Sequence, residues 1–169
     1  MSYPQDLIER LQSLECSTIE RFSFDGIETY ARVSNVHDPD TITIIFENAG
    51  EMIKLNIRLE GIDAPELNST LVSESKACIE GTKKLKELCA DRVIRVVLGK
   101  YDKYGRVMSV IHTIEPIEGD LTCINDYLLK YQYVRTYSGG RKVKWTQSEL
   151  KAVGTKKETS ETSDASAIS

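Results

Sequence analysis

The stretch from Glu51 to Ile62 restricts the fold more than any other part of the chain. Ile53, Leu55, Ile57 and Leu59 follow one another at strict two-residue spacing, the period of a strand that buries one face. Just before it, Asp40 to Glu47 carries Ile42, Ile44, Ile45 and Phe46, and Asn48-Ala49-Gly50 joins the two runs. That tripeptide is a hairpin signal. Thr29 to Val36 alternates as well and carries Tyr and Val. Three consecutive antiparallel strands are therefore expected.

The pattern then changes period. Ser73 to Ala90 predicts a helix with Ala77, Leu85, Leu88 and Cys89 on its inner side. Strands are expected over Arg92 to Leu98 and Val107 to Thr113, with a turn at Asp102-Lys103-Tyr104-Gly105-Arg106 between them. A helix capped by Asp120 or Thr122 runs through Lys130, with Ile124, Leu128 and Leu129 facing inward, and a last short helix covers Thr146 to Val153. At the other end, Ser2 to about Ser17 predicts a helix, with Ser2 as its cap, Pro4 in its first turn and Leu7, Leu11 and Leu14 on one face. Five short strands interrupted by a helix imply an α+β fold: a partly open, five-stranded OB-type β-barrel with two to three packed helices, plus the N-terminal helix. The expected division is a helical extension at 1–25, the barrel domain at 26–153 and a polar tail at 154–169. The tail has almost no large apolar residue to offset its ordering entropy and is expected to be disordered.

Composition narrows the class. With 169 residues, 40% of them hydrophobic and 28% charged, one core can form without metals or disulfides. No apolar run approaches the roughly 20 residues that cross a bilayer. The opening Met1-Ser2-Tyr3-Pro4-Gln5-Asp6 has neither a basic nor an apolar signal region, so an intracellular, cytoplasmic protein is expected. Cys16, Cys78, Cys89 and Cys123 fit no zinc spacing and are expected to be buried free thiols. A net charge of −4 argues mildly against holding nucleic acid by bulk electrostatics. Between Tyr127 and Ser148, however, Lys130, Arg135, Arg141, Lys142 and Lys144 alternate with Tyr131, Tyr133, Tyr137 and Trp145, with no acid among them. Such a mixture can track phosphates and stack bases, or can be a solvated loop with ordinary aromatic packing.

Three segments concentrate acids and arginines at turns: Val36-His37-Asp38-Pro39-Asp40-Thr41, Arg58 through Glu66, and Asp102 through Arg106. Each alone is ordinary turn chemistry. Together they contain what phosphodiester hydrolysis needs. A cation must neutralise and polarise the phosphate, a group must position or deprotonate water, and fixed positive donors must meet the charge of the transition state. Asp40 and Asp63 offer hard oxygen ligands, Glu66 a third carboxylate, and Arg58 and Arg106 forked donors that match phosphate. Arg58 lies on the face of its strand opposite the apolar one, where it either meets solvent or lines a cleft.

In order and approximate spacing, V-H-D-P-D-T, R-L-E-G-I-D-A-P-E and D-K-Y-G-R resemble the thermonuclease (staphylococcal nuclease-like) family over roughly Tyr30 to Tyr137. The resemblance implies a calcium-dependent endonuclease that cuts DNA or RNA and leaves 3′-phosphate ends. It implies that Asp40, Asp63 and the Ala64 carbonyl hold Ca²⁺, that Glu66 is the general base or positions the water, and that Arg58 and Arg106 bind the phosphate. Tyr137, Lys103 and Tyr104 would contact the nucleotide. The chain departs from the family at Pro39, commonly Gly, at Ala64 and at His37, and its loop from Leu67 to Ser73 is short. None of these removes a catalytic side chain. A monomer with no membrane partner is expected. The alternative is a non-catalytic module of the same family that binds nucleic acid or a protein partner.

Overall fold

The computed structural model describes residues 4–116 and 122–155. Strands β1 (Glu28–Asp38), β2 (Thr41–Asn48) and β3 (Glu51–Leu59) form the expected antiparallel meander, and β5 (Val93–Tyr101) and β6 (Val107–Thr113) form a second hairpin. Ala49 and Gly50 both take positive φ, 53° and 84°, so the β2–β3 link has the left-handed turn geometry that matches strand twist. β1 reaches across to β5, and β3 pairs in parallel with β6. The ring β1-β2-β3-β6-β5 is therefore closed, more complete than the partly open barrel expected. β1 makes this possible: over its 11 residues it serves two neighbours, and its register with β2 is irregular in two places.

The barrel is filled by the apolar parity of each strand, including Val33, Ile42, Ile44, Ile57, Leu59, Ile94, Val96 and Ile111. Helix α2 (Val72–Cys89) buries Ala77, Leu85, Leu88 and Cys89, the residues expected from the period, and also Cys78 and Gly81. Leu85, Leu88 and Cys89 join the barrel core, while Ala77 packs in a separate cluster with Trp145 and Leu150. Gly81 is where α2 meets the turn between β1 and β2. A Cβ there would stand 2.9 Å from Pro39 Cγ, so the unusual proline is a packing partner of the helix.

Helix α3 (Ile124–Lys130) buries Ile124, Tyr127 and Leu128, while Leu129 is only partly buried. Its cap differs from expectation. Asp120 lies outside the described residues, Cys123 holds the cap position, and no side chain caps it. Thr122 instead joins the end of β6: its N–H donates to Thr113 Oγ1 at 3.1 Å, and its carbonyl accepts from the Thr113 N–H at 3.0 Å. A two-residue pair, β4 (Ile62–Asp63) with β7 (Arg135–Thr136), ties the turn after β3 to the chain after α3. Helix α4 (Gln147–Ala152) starts with a capping box between Thr146 and Glu149.

Two expectations fail at the N-terminus. Helix α1 covers only Gln5–Gln12, and none of its residues is buried. Leu7, Leu11 and Leu14 remain 42%, 57% and 43% exposed, so the apolar face lacks the packing that would extend a short helix. Ser2 lies outside the described residues, and Pro4 occupies the cap position. Cys16 is exposed and Cys123 half-buried, so only Cys78 and Cys89 are the buried thiols expected. Burial pushes the Cys89 thiol up to about 12, which makes it inert. The polar tail lies outside the described residues from 156 onward.

Candidate active site

Strand register places the first half of the site. Arg58 pairs with Thr41 across β2–β3 and with Met108 across β3–β6. Its side chain thus enters the second face of the sheet at the end where that face is covered, and it is only 6% exposed. It is ion-paired with Asp40, itself buried, and Nη2 donates to the Ile62 carbonyl at 3.0 Å. Thr41 Oγ1 donates to the other oxygen of Asp40 at 2.8 Å. The question the period left open is settled: Arg58 lines a cleft and is not a solvated surface group. A one-residue slip of β3 would send it into the barrel.

The turn Glu60–Gly61 follows, and it is held by a residue that sequence reading missed. Asn125, on the inward face of α3, accepts from the Ile111 N–H at 3.1 Å. It donates to the carbonyls of Glu60 at 2.9 Å and Ser109 at 3.2 Å. A polar residue beside Ile124 on an apolar helix face was the available signal.

Asp63, on β4, is 2% exposed. Its Oδ2 accepts two bonds from Arg135, from Nε at 3.1 Å and Nη2 at 2.8 Å. Its Oδ1 is buried and receives no hydrogen bond, although Lys142 Nζ stands 2.9 Å away as an ion-pair partner. We read this as a contact close in distance but poorly aligned in angle. The same ammonium lies 3.3 Å from Glu66 Oε1. Burial by itself would lower the pKa of Lys142, but its close contact with Asp63 and the charges of Asp63, Asp40 and Glu66 outweigh that and hold it above the ordinary lysine value. Two cations of the basic segment are therefore turned inward onto acids, which neither sequence reading of that segment anticipated. The reason is β7, which brings Arg135 opposite Asp63 in register. Of the interleaved aromatics, Tyr131 and Trp145 are core residues, and Trp145 stacks under Arg135 at 4.3 Å.

The hairpin between β5 and β6 supplies the rest. Asp102 accepts the Tyr104 N–H at 2.8 Å and the Arg106 N–H at 3.0 Å, and Gly105 takes φ 80°. The other carboxylate oxygen receives Arg106 Nε at 2.8 Å, and Arg106 Nη1 reaches Thr41 Oγ1 at 3.3 Å. Burial alone would raise the Asp102 pKa, but these bonds from Arg106 and Tyr104 hold it below the ordinary aspartate value. The four-residue spacing of Asp102 and Arg106 thus makes the turn and aims the guanidinium.

One cleft of about 960 Å³ is lined by Asp40, Arg58, Ala64, Glu66 and Arg106. Lys103, Tyr104 and Tyr137 stand around it, with Asp38, Arg141 and Lys142. Tyr137 donates to the Gly140 carbonyl at 2.7 Å, and Lys103 lies over the Tyr104 ring at 4.9 Å. Burial first, and the charge of Asp40 next, push the Asp38 carboxyl up. Asp63 faces a smaller adjoining hollow of about 340 Å³ that shares Ala64, Glu66 and Lys142 with the cleft. Among the described residues, no three His, Cys, Asp or Glu side chains form a ready metal cage. A hard cation could still be held by two carboxylates with a carbonyl and water, and the buried, unbonded Oδ1 of Asp63 is an oxygen that fits one.

A family model described as staphylococcal nuclease homologue matches residues 56–159. The chain belongs to this family. The match begins inside β3 and takes in Arg58, Asp63, Glu66 and Arg106. Asp40 precedes it and reaches the site through the β2–β3 register. The family is one of nucleases and nucleic-acid-binding modules. A search of curated proteins finds no match. No helix among the described residues is long and apolar enough to cross a membrane.

Proposed function

We propose that the protein is a calcium-dependent endonuclease that hydrolyses DNA or RNA to 3′-phosphate ends. The observation that carries this reading is the cleft that Arg58, Arg106, Asp40 and Glu66 share. Both guanidiniums are held by carboxylates, Arg58 by Asp40 and Arg106 by Asp102, so they offer a phosphate preorganised donors with little left to order on binding. Glu66 is exposed on the cleft wall, where its carboxylate can take the proton of an attacking water. The water oxygen bonds to phosphorus, the bond to the 5′ oxygen breaks, and the leaving oxygen takes a proton from an arginine or from solvent. Asp40, Asp63 and the Ala64 carbonyl are the groups that would hold Ca²⁺, which would supply charge neutralisation and polarisation of the phosphate. Tyr137, Tyr104 and Lys103 would receive the nucleotide. Every one of these groups comes from one chain, so a monomer suffices.

A second reading has an observation in its favour. Asp40 and Asp63 are both already paired with cations of the chain itself, as a module that binds nucleic acid without cutting it could be. One assay separates the two. Labelled single-stranded DNA and RNA are incubated with the full chain, with calcium or with chelator, and the product ends are identified. The nuclease reading expects calcium-dependent 3′-phosphate ends and a rate about 100- to 10,000-fold lower in Glu66→Gln. Cleavage that persists unchanged in chelator and in Glu66→Gln would refute it; tight binding without any cleavage would establish the second reading.

A further inference from the structure

Two cations sit on Asp63, and they are held very differently. Arg135 is locked. Beyond its two bonds to Oδ2, it is stacked on Trp145, lies 3.3 Å from Glu149 and donates to the Val143 carbonyl. Lys142 is tethered. Its side chain is 46% exposed, and its ion-pair partners are Asp63 Oδ1 and Glu66 Oε1. It arrives on a loop that turns through Gly139 and Gly140, at φ 95° and 90°. The oxygen it faces is the one on Asp63 that no hydrogen bond satisfies, and a buried carboxylate oxygen in that state calls for a cation.

We propose that Lys142 is the resident counter-ion of the metal position. Its ammonium bridges Asp63 and Glu66 while no metal is bound, and a divalent cation enters by displacing it. This rests on the reading of Asp63 as a metal ligand. Arg135 stays in place through the exchange, because it uses the other oxygen and is anchored by the indole. Lys142 can leave at low cost, because its half-exposed side chain lines the cleft and Asp63 and Glu66 are its ion-pair partners among the described residues. Metal affinity is weakened by the competition, and Glu66 is released when the ammonium moves away.

The test is calorimetric titration of the full chain with calcium chloride alone at low ionic strength, which needs no substrate and no turnover. Lys142→Met should bind calcium about five- to tenfold more tightly than the wild type, the gain expected from removing a half-exposed competing ammonium that pairs with two carboxylates. Lys142→Arg, which keeps the charge, should stay within about twofold of the wild type, and Lys144→Met, which removes a charge two residues away, within about threefold. Binding detectable only in Lys142→Met is the extreme form of the same result. If Lys142→Met binds calcium no better than the wild type while Asp63→Asn abolishes binding, the metal site stands and the counter-ion role is overturned. An equal gain in Lys144→Met would also overturn it, since the effect would then be general charge. If neither the wild type nor Lys142→Met binds calcium, both this inference and the metal reading fall.

Discussion

Replacing Arg58 with alanine should unfold the protein more readily than its size suggests, and most of that loss should be recoverable by a second change. Asp40 is 5% exposed, and with Arg58 gone its remaining hydrogen-bond partner is the Thr41 hydroxyl. Removing one partner of a buried pair typically costs about 3–5 kcal/mol, because the other charge is stranded. The Ile62 carbonyl also loses its donor, but part of that overlaps with the first loss, so about 4 kcal/mol is expected for Arg58→Ala. For a chain of this length that corresponds to a fall of about 8–16 °C in Tm. In Asp40→Asn/Arg58→Met no charge is stranded, and the amide can still accept from Thr41, so the loss should shrink to about 1–2 kcal/mol. Urea unfolding followed by circular dichroism measures both. If the single and double variants lose the same stability, Asp40 is not stranded by the loss of Arg58, and the buried balance described for this pair is wrong. Neither variant should cleave nucleic acid, so recovered stability without recovered activity would separate the two roles of the arginine.

Two further outcomes are expected. Asn125→Ala leaves buried partners of three hydrogen bonds without their side chain and should cost about 3 kcal/mol in urea unfolding; a loss below about 1 kcal/mol would mean that water or backbone relaxation replaces it. Asp102 has a depressed pKa in the folded protein, so its contribution is fully present above the ordinary aspartate value and is lost as the pH falls through the lower folded value. Asp102→Asn should therefore flatten the fall of the urea midpoint as the pH drops below the ordinary aspartate value; an acid profile parallel to the wild type would contradict the charge-assisted role of the Asp102–Arg106 pair.

Much of the architecture was legible because a local period carried it. The β2–β3 hairpin, the inward face of α2 and the span of β6 follow from spacing and turn residues. Three expectations turned on more than a local signal. The N-terminal helix has a good apolar spacing at Leu7, Leu11 and Leu14, yet its length depended on a neighbour to pack against, and among the described residues none covers that face. Thr122 was a plausible cap, but its backbone was claimed by Thr113 on β6. Cys16 sits in that same exposed segment and shares its fate.

Side-chain identity was enough to show that acids and arginines suited to a phosphate were present and that strands would carry Arg58 and the turns their partners. Those are matters of period and of residue chemistry, which a chain displays one segment at a time. Whether Arg58 met water or a carboxylate, and whether Arg135 and Lys142 faced solvent or Asp63, depended on which distant strands became neighbours. Charge burial is a property of such long-range pairings: closing the barrel and joining β4 to β7 excludes water from the second face of the sheet, and only then does each cation find its acid.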